Sequence, residues 1–341
     1  MSRYQPPLTL TPAMLTLVAQ ISEVVGRLSA QQESTLTPQL RRGNRIRSIQ
    51  ASLAIENNTL SVEQVTAVLD GRRVLGLPRE IQEVRNAFAA YEAMAIWQPA
   101  SRAHLLEAHG VLMHGLIDDC GQLRRSGVDI YREHKLVHMA PPASRVLASV
   151  DDLLNWLSST DLHPLLASCV FHYEFEFIHP FADGNGRMGR LWQTLILSLW
   201  RPVLAWLPVE TVIRERQDAY YAALSAADQH GEATPFVEFM LQALYQALLD
   251  ASENDQVSDQ VARLLQVLEG GIAFKAGELM QHLRLVHRPT FRNNYLNPAL
   301  AAGLIEMTHP ESPRSPVQKY RATAQGMMWL TNKNQFGSSG E

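Results

Sequence analysis

Twelve consecutive residues constrain this chain more than any other stretch of it. They read His179-Pro-Phe181-Ala-Asp183-Gly184-Asn185-Gly186-Arg187-Met188-Gly-Arg190, and they separate two apolar segments, residues 165–178 and 191–200. Both flanks read as buried helices. Within about three helical turns the run therefore sets a histidine, a carboxylate, a glycine-flanked asparagine and two arginines between elements that belong in a core. Such a run is costly to bury unless it binds something. Its residue types suit phosphate: glycine frees backbone N–H groups to point at an anion, arginine forks grip phosphate oxygens, and an acid can hold a divalent ion.

The chemistry can be read further from the residues. Gly184-Asn185-Gly186 permits a tight turn, and a helix starting there adds the positive end of its dipole. Arg187 and Arg190 are three apart and share one helix face. Asp183 suits Mg²⁺ bridging two phosphates, and His179 can take a proton from an attacking hydroxyl near neutral pH. Base, metal ligand, anion hole and charge clamp are the parts that phosphoryl or nucleotidyl transfer requires. Phe181 and Met188 are expected to pack inward and brace the turn.

Composition sets the frame. The 341 residues are 46% hydrophobic and 19% charged, enough apolar content for a sizeable core and too little charge for a disordered chain. A net charge of −4 argues against a general nucleic-acid or anionic-membrane surface, and leaves room for a local basic patch. Cys120 and Cys169 both sit in apolar helical settings, so a reduced compartment without disulfides is expected. No signal-peptide core opens the chain, and the apolar run 191–207 is interrupted by Gln193, Arg201 and Pro202. A soluble cytoplasmic protein without membrane contact is expected.

Helical periodicity dominates the remainder. Leu15, Leu17, Val18, Ile21, Val24, Val25 and Leu28 trace one stripe, and residues 46–55 another. A helix over 62–69 should enter at Ser61, with long helices over 80–97, 102–117, 145–156, 209–227 and 235–251. The pattern breaks between Gly121 and Pro142; within it, residues 127–139, with Val128, Ile130, Leu136, Val137 and Met139 around a polar tip at 131–135, read as a hairpin closed by Pro141-Pro142. The polar stretch 251–260 is the best boundary. Three regions are expected: 1–98, 99–251 and 257–331. The last reads as helix, turn, helix and wing. Pro289 opens its second helix after an N-cap at His287 or Arg288, Arg288, Arg292, Asn293 and Asn294 face outward, and Arg314, Lys319 and Arg321 lie in the wing. Basic and amide side chains on such a helix can read base edges, so Arg288, Arg292 and Asn293 are candidate DNA contacts; protein contact is the plainer alternative.

The twelve residues match every specified position of His-x-Phe-x-(Asp/Glu)-Gly-Asn-Gly-Arg-x-x-Arg, and the chain thereby resembles the Fic family. The resemblance implies a mainly α fold: a Fic-type helical core with a small β-hairpin flap, followed by a C-terminal winged helix-turn-helix. It implies transfer of AMP from ATP, with Mg²⁺, to a Tyr, Thr or Ser hydroxyl of a protein or of the enzyme itself. His179 would be the base and Asp183 the metal ligand. Asn185 and the amides around Gly184 and Gly186 would form the anion hole, with Arg187 and Arg190 on the outer phosphates. Family relatives that transfer phosphate carry lysine where this chain has Gly186, which favours AMP. The hairpin resembles the family's flap, which pairs with an extended target segment; Ile130, Tyr131, Leu136, Val137 and His138 are its docking candidates. Tyr220 and Tyr221 are candidates beside adenine, with core packing the alternative. The resemblance also implies self-association into a homo-oligomer.

Ser52-Leu-Ala-Ile-Glu56-Asn57 resembles the family's inhibitory motif, (Ser/Thr)-x-x-x-Glu-(Gly/Asn). Ser52 and Glu56 share a helix face, and Asn57 is a natural helix stop. Glu56 paired with Arg190 would stand where the γ-phosphate belongs. Two alternatives stay open: a DNA-binding regulator whose core senses nucleotide, and an enzyme moving a different nucleotide.

Overall fold

The computed structural model describes residues 4–35, 38–127, 129–132, 135–254, 259–312, 315 and 317–337. Its helices are α1 (Pro12–Thr35), α2 (Pro38–Ile55), α3 (Val62–Leu69), α4 (Pro78–Ala93), α5 (Arg102–Leu112), α6 (Ala143–Leu157), α7 (Pro164–Ile178), α8 (Asn185–Trp200), α9 (Val209–Glu215), α10 (Gln217–His230), α11 (Thr234–Asn254), α12 (Asp259–Val267), α13 (Ala276–His282), α14 (Arg288–Phe291), α15 (Asn297–Ala301) and α16 (Ala324–Gly337). Two antiparallel pairs complete it: β1 (Asp129–Arg132) with β2 (Lys135–Met139), and β3 (Ile305–Met307) with β4 (Tyr320–Ala322). The chain is mainly helical and divides into two compact units, Met1–Asp250 and Ala251–Glu341. Residues 1–98, set apart in the sequence reading, share the first unit with 99–250.

In the first unit α7 packs along α8, with α6 against α7 and α5 against α8. Trp192, Phe171, Phe175, Phe181 and Phe236 are fully buried there, each worth about 2–3 kcal/mol of burial. α2 packs on α3, α4, α8 and α9, with Ile49, Leu53 and Ile55 in the core. Its depth is fixed by a buried polar set. Ser48 and Tyr91 each donate to Glu210, at 2.9 and 2.7 Å, and the Arg45 guanidinium lies 4.5 Å from both the Tyr91 and Trp206 rings. The N-terminal segment straps onto this unit: Tyr4 donates to Glu174 (2.5 Å) and Thr11 to Glu238 (2.6 Å).

Several expected helices are shorter than their patterns. The stretch 209–227 breaks at Arg216, whose backbone leaves helical geometry (φ −114°, ψ 35°), giving α9 and α10. The stretch 80–97 ends as a single 3₁₀ turn at Met94–Ile96, and that at 102–117 stops at Leu112. On α1 the buried stripe begins at Met14, while Leu15 is 60% exposed. α3 carries a reciprocal cap: Gln64 N–H donates to Ser61 Oγ, and Ser61 N–H to the Gln64 side chain.

Backbone pairing sets Ile130 opposite His138 and Tyr131 opposite Leu136, with an irregularity between Ile130 and Tyr131. Only the backbone of this hairpin is described, and Val128 lies outside the described residues. In the second unit α12, α13, Phe291, Tyr295, Leu296, Leu304 and Ile305 enclose a separate core. His287 caps α14, which continues through a π turn into α15, and the helix stops at Gly303 (φ 67°). Arg288, Arg292, Asn293 and Asn294 are exposed. Arg321 pairs with Glu306 on the β3–β4 hairpin (2.6 Å); Arg314 lies outside the described residues.

Candidate active site

The twelve-residue run forms the turn between α7 and α8. His179 ends α7 in left-handed geometry (φ 49°), unusual for a residue with a Cβ, and its N–H still donates to Phe175 O (3.0 Å). Gly184 also has positive φ (83°), and a Cβ there would strike Met113 Sδ at 2.6 Å. Only glycine fits. Asn185 then starts α8, and its side chain bonds the Phe181 backbone twice, accepting from N–H and donating to C=O, both at 2.9 Å. Both ends of this amide are thus spent on shaping the turn. Phe181 and Met188 are fully buried.

Two further residues, not singled out from sequence, brace the turn. His109 is buried and stacks on Phe181 (3.7 Å between centroids, 2° between planes). Its Nδ1 accepts from Gly121 N–H at 2.8 Å, which leaves Nε2–H to donate to Asp183 O at 3.0 Å. Burial lowers its pKa, so the imidazole is neutral. Arg124 is also buried. It donates to His179 O (2.7 Å), Ile178 O (3.3 Å), Ser126 O (2.9 Å) and Pro141 O (2.5 Å), and its N–H to Pro180 O (2.9 Å). It therefore ties the histidine's backbone to both feet of the hairpin.

The charged side chains are all engaged. Arg190, fully buried, donates Nε–H to Ser52 Oγ (3.0 Å) and Nη2 to Ser52 O (3.0 Å) and Glu56 Oε1 (2.7 Å). Burial pulls the guanidinium pKa down, but the charge and hydrogen bond of Glu56, with Tyr220 and Glu176, together raise it above the ordinary arginine value. The same carboxylate stands directly over Gly186, inside the space a Cβ would take, at the N-terminus of α8. Asn57 (φ 67°) turns the chain out of α2, and Gln217 caps the Ile55 carbonyl. Arg187 shares a face with Arg190 but is held by another helix: it reaches Glu83 of α4 at 3.4 Å and Asp183 at 3.1 Å. Asp183 also accepts from Gly184 N–H (2.6 Å) and from Arg79 of α4 (3.2 Å). Arg79 and Glu83 went unremarked in the sequence because an i,i+4 Arg–Glu pair after a proline reads as an ordinary solvated helix start.

The donor set fits a divalent ion of the Mg²⁺ type. Guanidinium groups already stand as cations on both Asp183 oxygens. Among the described residues no cluster of three or more His, Cys, Asp or Glu is placed to hold a metal, so an ion here would draw its other ligands from phosphate and water. Tyr220 is fully buried near enough to Glu56 and Arg190 to feel their charge, with its hydroxyl 3.2 Å from His172 Nε2 and its ring packed among Tyr221, Phe236 and Phe239. Tyr221 is half-buried.

The Fic/DOC family model matches residues 99–197, and the model for the Filamentation induced by cAMP protein Fic-like, C-terminal domain matches 259–323. A crystal structure of a Fic family protein from Desulfovibrio desulfuricans G20 is 63% identical, superposes with a TM-score of 0.72, and is covered over 99% of its chain by 94% of this one. Fic-1 from C. elegans (residues 134–508) shares the fold at 24% identity, with a TM-score of 0.55 over 71% of this chain and 75% of its own. Protein adenylyltransferase fic-1 of Caenorhabditis briggsae is 32% identical over 223 residues, 61% of this chain and 41% of its own length. Protein adenylyltransferase Fic of Nematostella vectensis is 31% identical over 207 residues, 55% of this chain and 44% of its own. The chain thus spans less than half the length of these curated relatives. Among the described residues no helix is long and apolar enough to cross a membrane.

Proposed function

The chain belongs to the Fic family, and on that footing we propose that it is a protein adenylyltransferase, held off at rest by its own Glu56. The reaction moves AMP from ATP to a Tyr, Thr or Ser hydroxyl of a protein, itself included. In this reading His179 takes the proton as the hydroxyl oxygen attacks the α-phosphorus, and the bond to the β-phosphate oxygen breaks to release pyrophosphate. The N-terminal amides of α8 face the phosphates, and Arg187 and Arg190 neutralise the leaving charge. Asp183 would hold a divalent ion, which would supply positive charge against that of the phosphates. The relatives named protein adenylyltransferase support AMP as the group moved, as does glycine at position 186.

One observation carries the reading. Glu56 Oε1 lies 2.7 Å from Arg190 and over Gly186, so a carboxylate holds the arginine and the helix terminus that a terminal phosphate needs. Two anions cannot share that place without strong repulsion. The test is labelling with ATP carrying radioactive α-phosphate. Glu56→Gly should raise self-labelling at least tenfold over the parent chain, and His179→Ala in the same background should abolish it. Mass spectrometry should find an AMP-sized adduct. Equal labelling of the parent and Glu56→Gly would count against the brake. Nucleotide binding without any adduct would replace the transferase by a nucleotide-sensing regulator, and adducts from other nucleotides alone would overturn ATP.

A further inference from the structure

Glu56 is one of two restraints on the phosphate motif; the other comes from α4. Arg79 and Glu83 lie one helical turn apart there, opposite Asp183, just ahead of α8, and Arg187 in its first turn. The two pairs match in inverted sign. Arg79 reaches Asp183 Oδ2 at 3.2 Å, Glu83 reaches Arg187 at 3.4 Å, and Arg79 Nε also approaches Glu83 at 3.5 Å. The two contacts differ in permanence. Glu83 and Arg187 are 11% and 5% exposed, and Glu83 also accepts from Asn58 Nδ2 (2.8 Å), two residues past Glu56. That pair anchors the register of α4 on the motif. Arg79 and Asp183 are 58% and 41% exposed, so their contact is a displaceable surface pair.

We propose that Arg79 is a tethered cation standing in for the divalent ion at Asp183, so that metal loading must first displace it. This rests on the transferase reading only in taking Asp183 as the metal carboxylate. Arg79 sets how much divalent ion the site requires, independently of Glu56, because the two restraints act on different residues: Arg79 on Asp183, Glu56 on Arg190. Arg79 holds Asp183 Oδ2 while the buried Arg187 holds Oδ1, so Arg79 is the exposed and displaceable one of the two cations. It yields when the ion arrives with nucleotide, because an exposed ion pair is weak against inner-sphere coordination.

The test measures Mn²⁺ binding directly by electron paramagnetic resonance, in the Glu56→Gly chain with α,β-methylene-ATP, which cannot release AMP. Arg79→Ala in that background should bind Mn²⁺ about two- to fivefold more tightly, the size of a surface ion pair. The difference should shrink in 1 M salt, where the Debye length falls to about 3 Å. Arg85→Ala is the control: it removes the same charge about 240° around the same helix and should leave Mn²⁺ affinity unchanged. Equal affinity for Arg79→Ala and its parent, or equal tightening by Arg85→Ala, would overturn the proposal. A Glu56→Gly parent that binds neither Mn²⁺ nor the analogue would remove the reading of the site itself, and this inference with it.

Discussion

The division of labour at Arg124 and Arg125 illustrates what single residues decide. The neighbours are chemically identical, yet Arg124 is 3% exposed and spends its guanidinium on four carbonyls, while Arg125 is exposed. Nothing in Gly-Gln-Leu-Arg-Arg distinguishes them, because the acceptors come from positions as far as 141 and 179. A lysine at 124 keeps the charge but presents one point donor where a planar fork is needed. Arg124→Lys should destabilise the chain by about 1–3 kcal/mol, the cost of stranding buried carbonyls, read as a lower urea midpoint. In the Glu56→Gly background it should also slow AMP transfer at least tenfold while leaving affinity for α,β-methylene-ATP within about twofold. That split separates misplacement of His179 and the hairpin from loss of the phosphate site.

Among the elements, the packing of α7 on α8 decides the site. Gly189 permits it: a Cβ there would meet His172 Cδ2 at 2.7 Å and Glu176 Oε1 at 2.9 Å. Helix propensity favours alanine by about 1 kcal/mol, and overpacking costs about 1–3 kcal/mol. Gly189→Ala should therefore be destabilising despite sitting inside a helix, and thermal unfolding should show a lower midpoint. Element identity was largely legible. The 3.6-residue period marked the long helices, Ser61 marked a cap, and the four-residue spacing of Ser52 and Glu56 put both on the face that meets Arg190. Element ends were less so. No glycine or proline marks the break at Arg216, whereas the end of α5 is signalled by Gly115, which takes φ 69° three residues on. Tyr220 shows the same limit: an aromatic on a helix has no visible preference between a ligand and a core until the core is assembled.

At the scale of the molecule, burial of neutral imidazoles couples stability to pH. His172 is fully buried, and burial pushes its pKa down to about 3 against a hydrogen bond with Gln193 that favours the charged form. His109 is shifted in the same direction by burial. An unfolded imidazole titrates near 6.5. Above that pH neither state is protonated and these groups add no pH dependence. Below it the unfolded chain binds protons that the folded imidazoles refuse, so stability falls, for His172 down to about pH 3. For His172 the loss should approach about 1.4 kcal/mol per pH unit, and His109 should add to it in the same direction. Urea midpoints at pH 7.5 and 5.5 check it: the midpoint should be lower at 5.5, and an unchanged midpoint would mean the rings are solvated and titrate as in the unfolded chain. The sequence by itself determined the chemistry available to this protein: the order of His179, Asp183, Gly186, Arg187 and Arg190, their place between two apolar helices, and an acid four residues beyond a serine upstream. Those are local facts, set by side-chain type and helical period. Only the tertiary structure decided which charges meet. Arg190 goes to α2 and Arg187 to α4, Arg79 stands at Asp183, and Arg124 and His109 hold the turn from outside. Those partners lie up to 138 residues apart, and a contact at that separation is chosen by how whole helices pack, which no local pattern encodes.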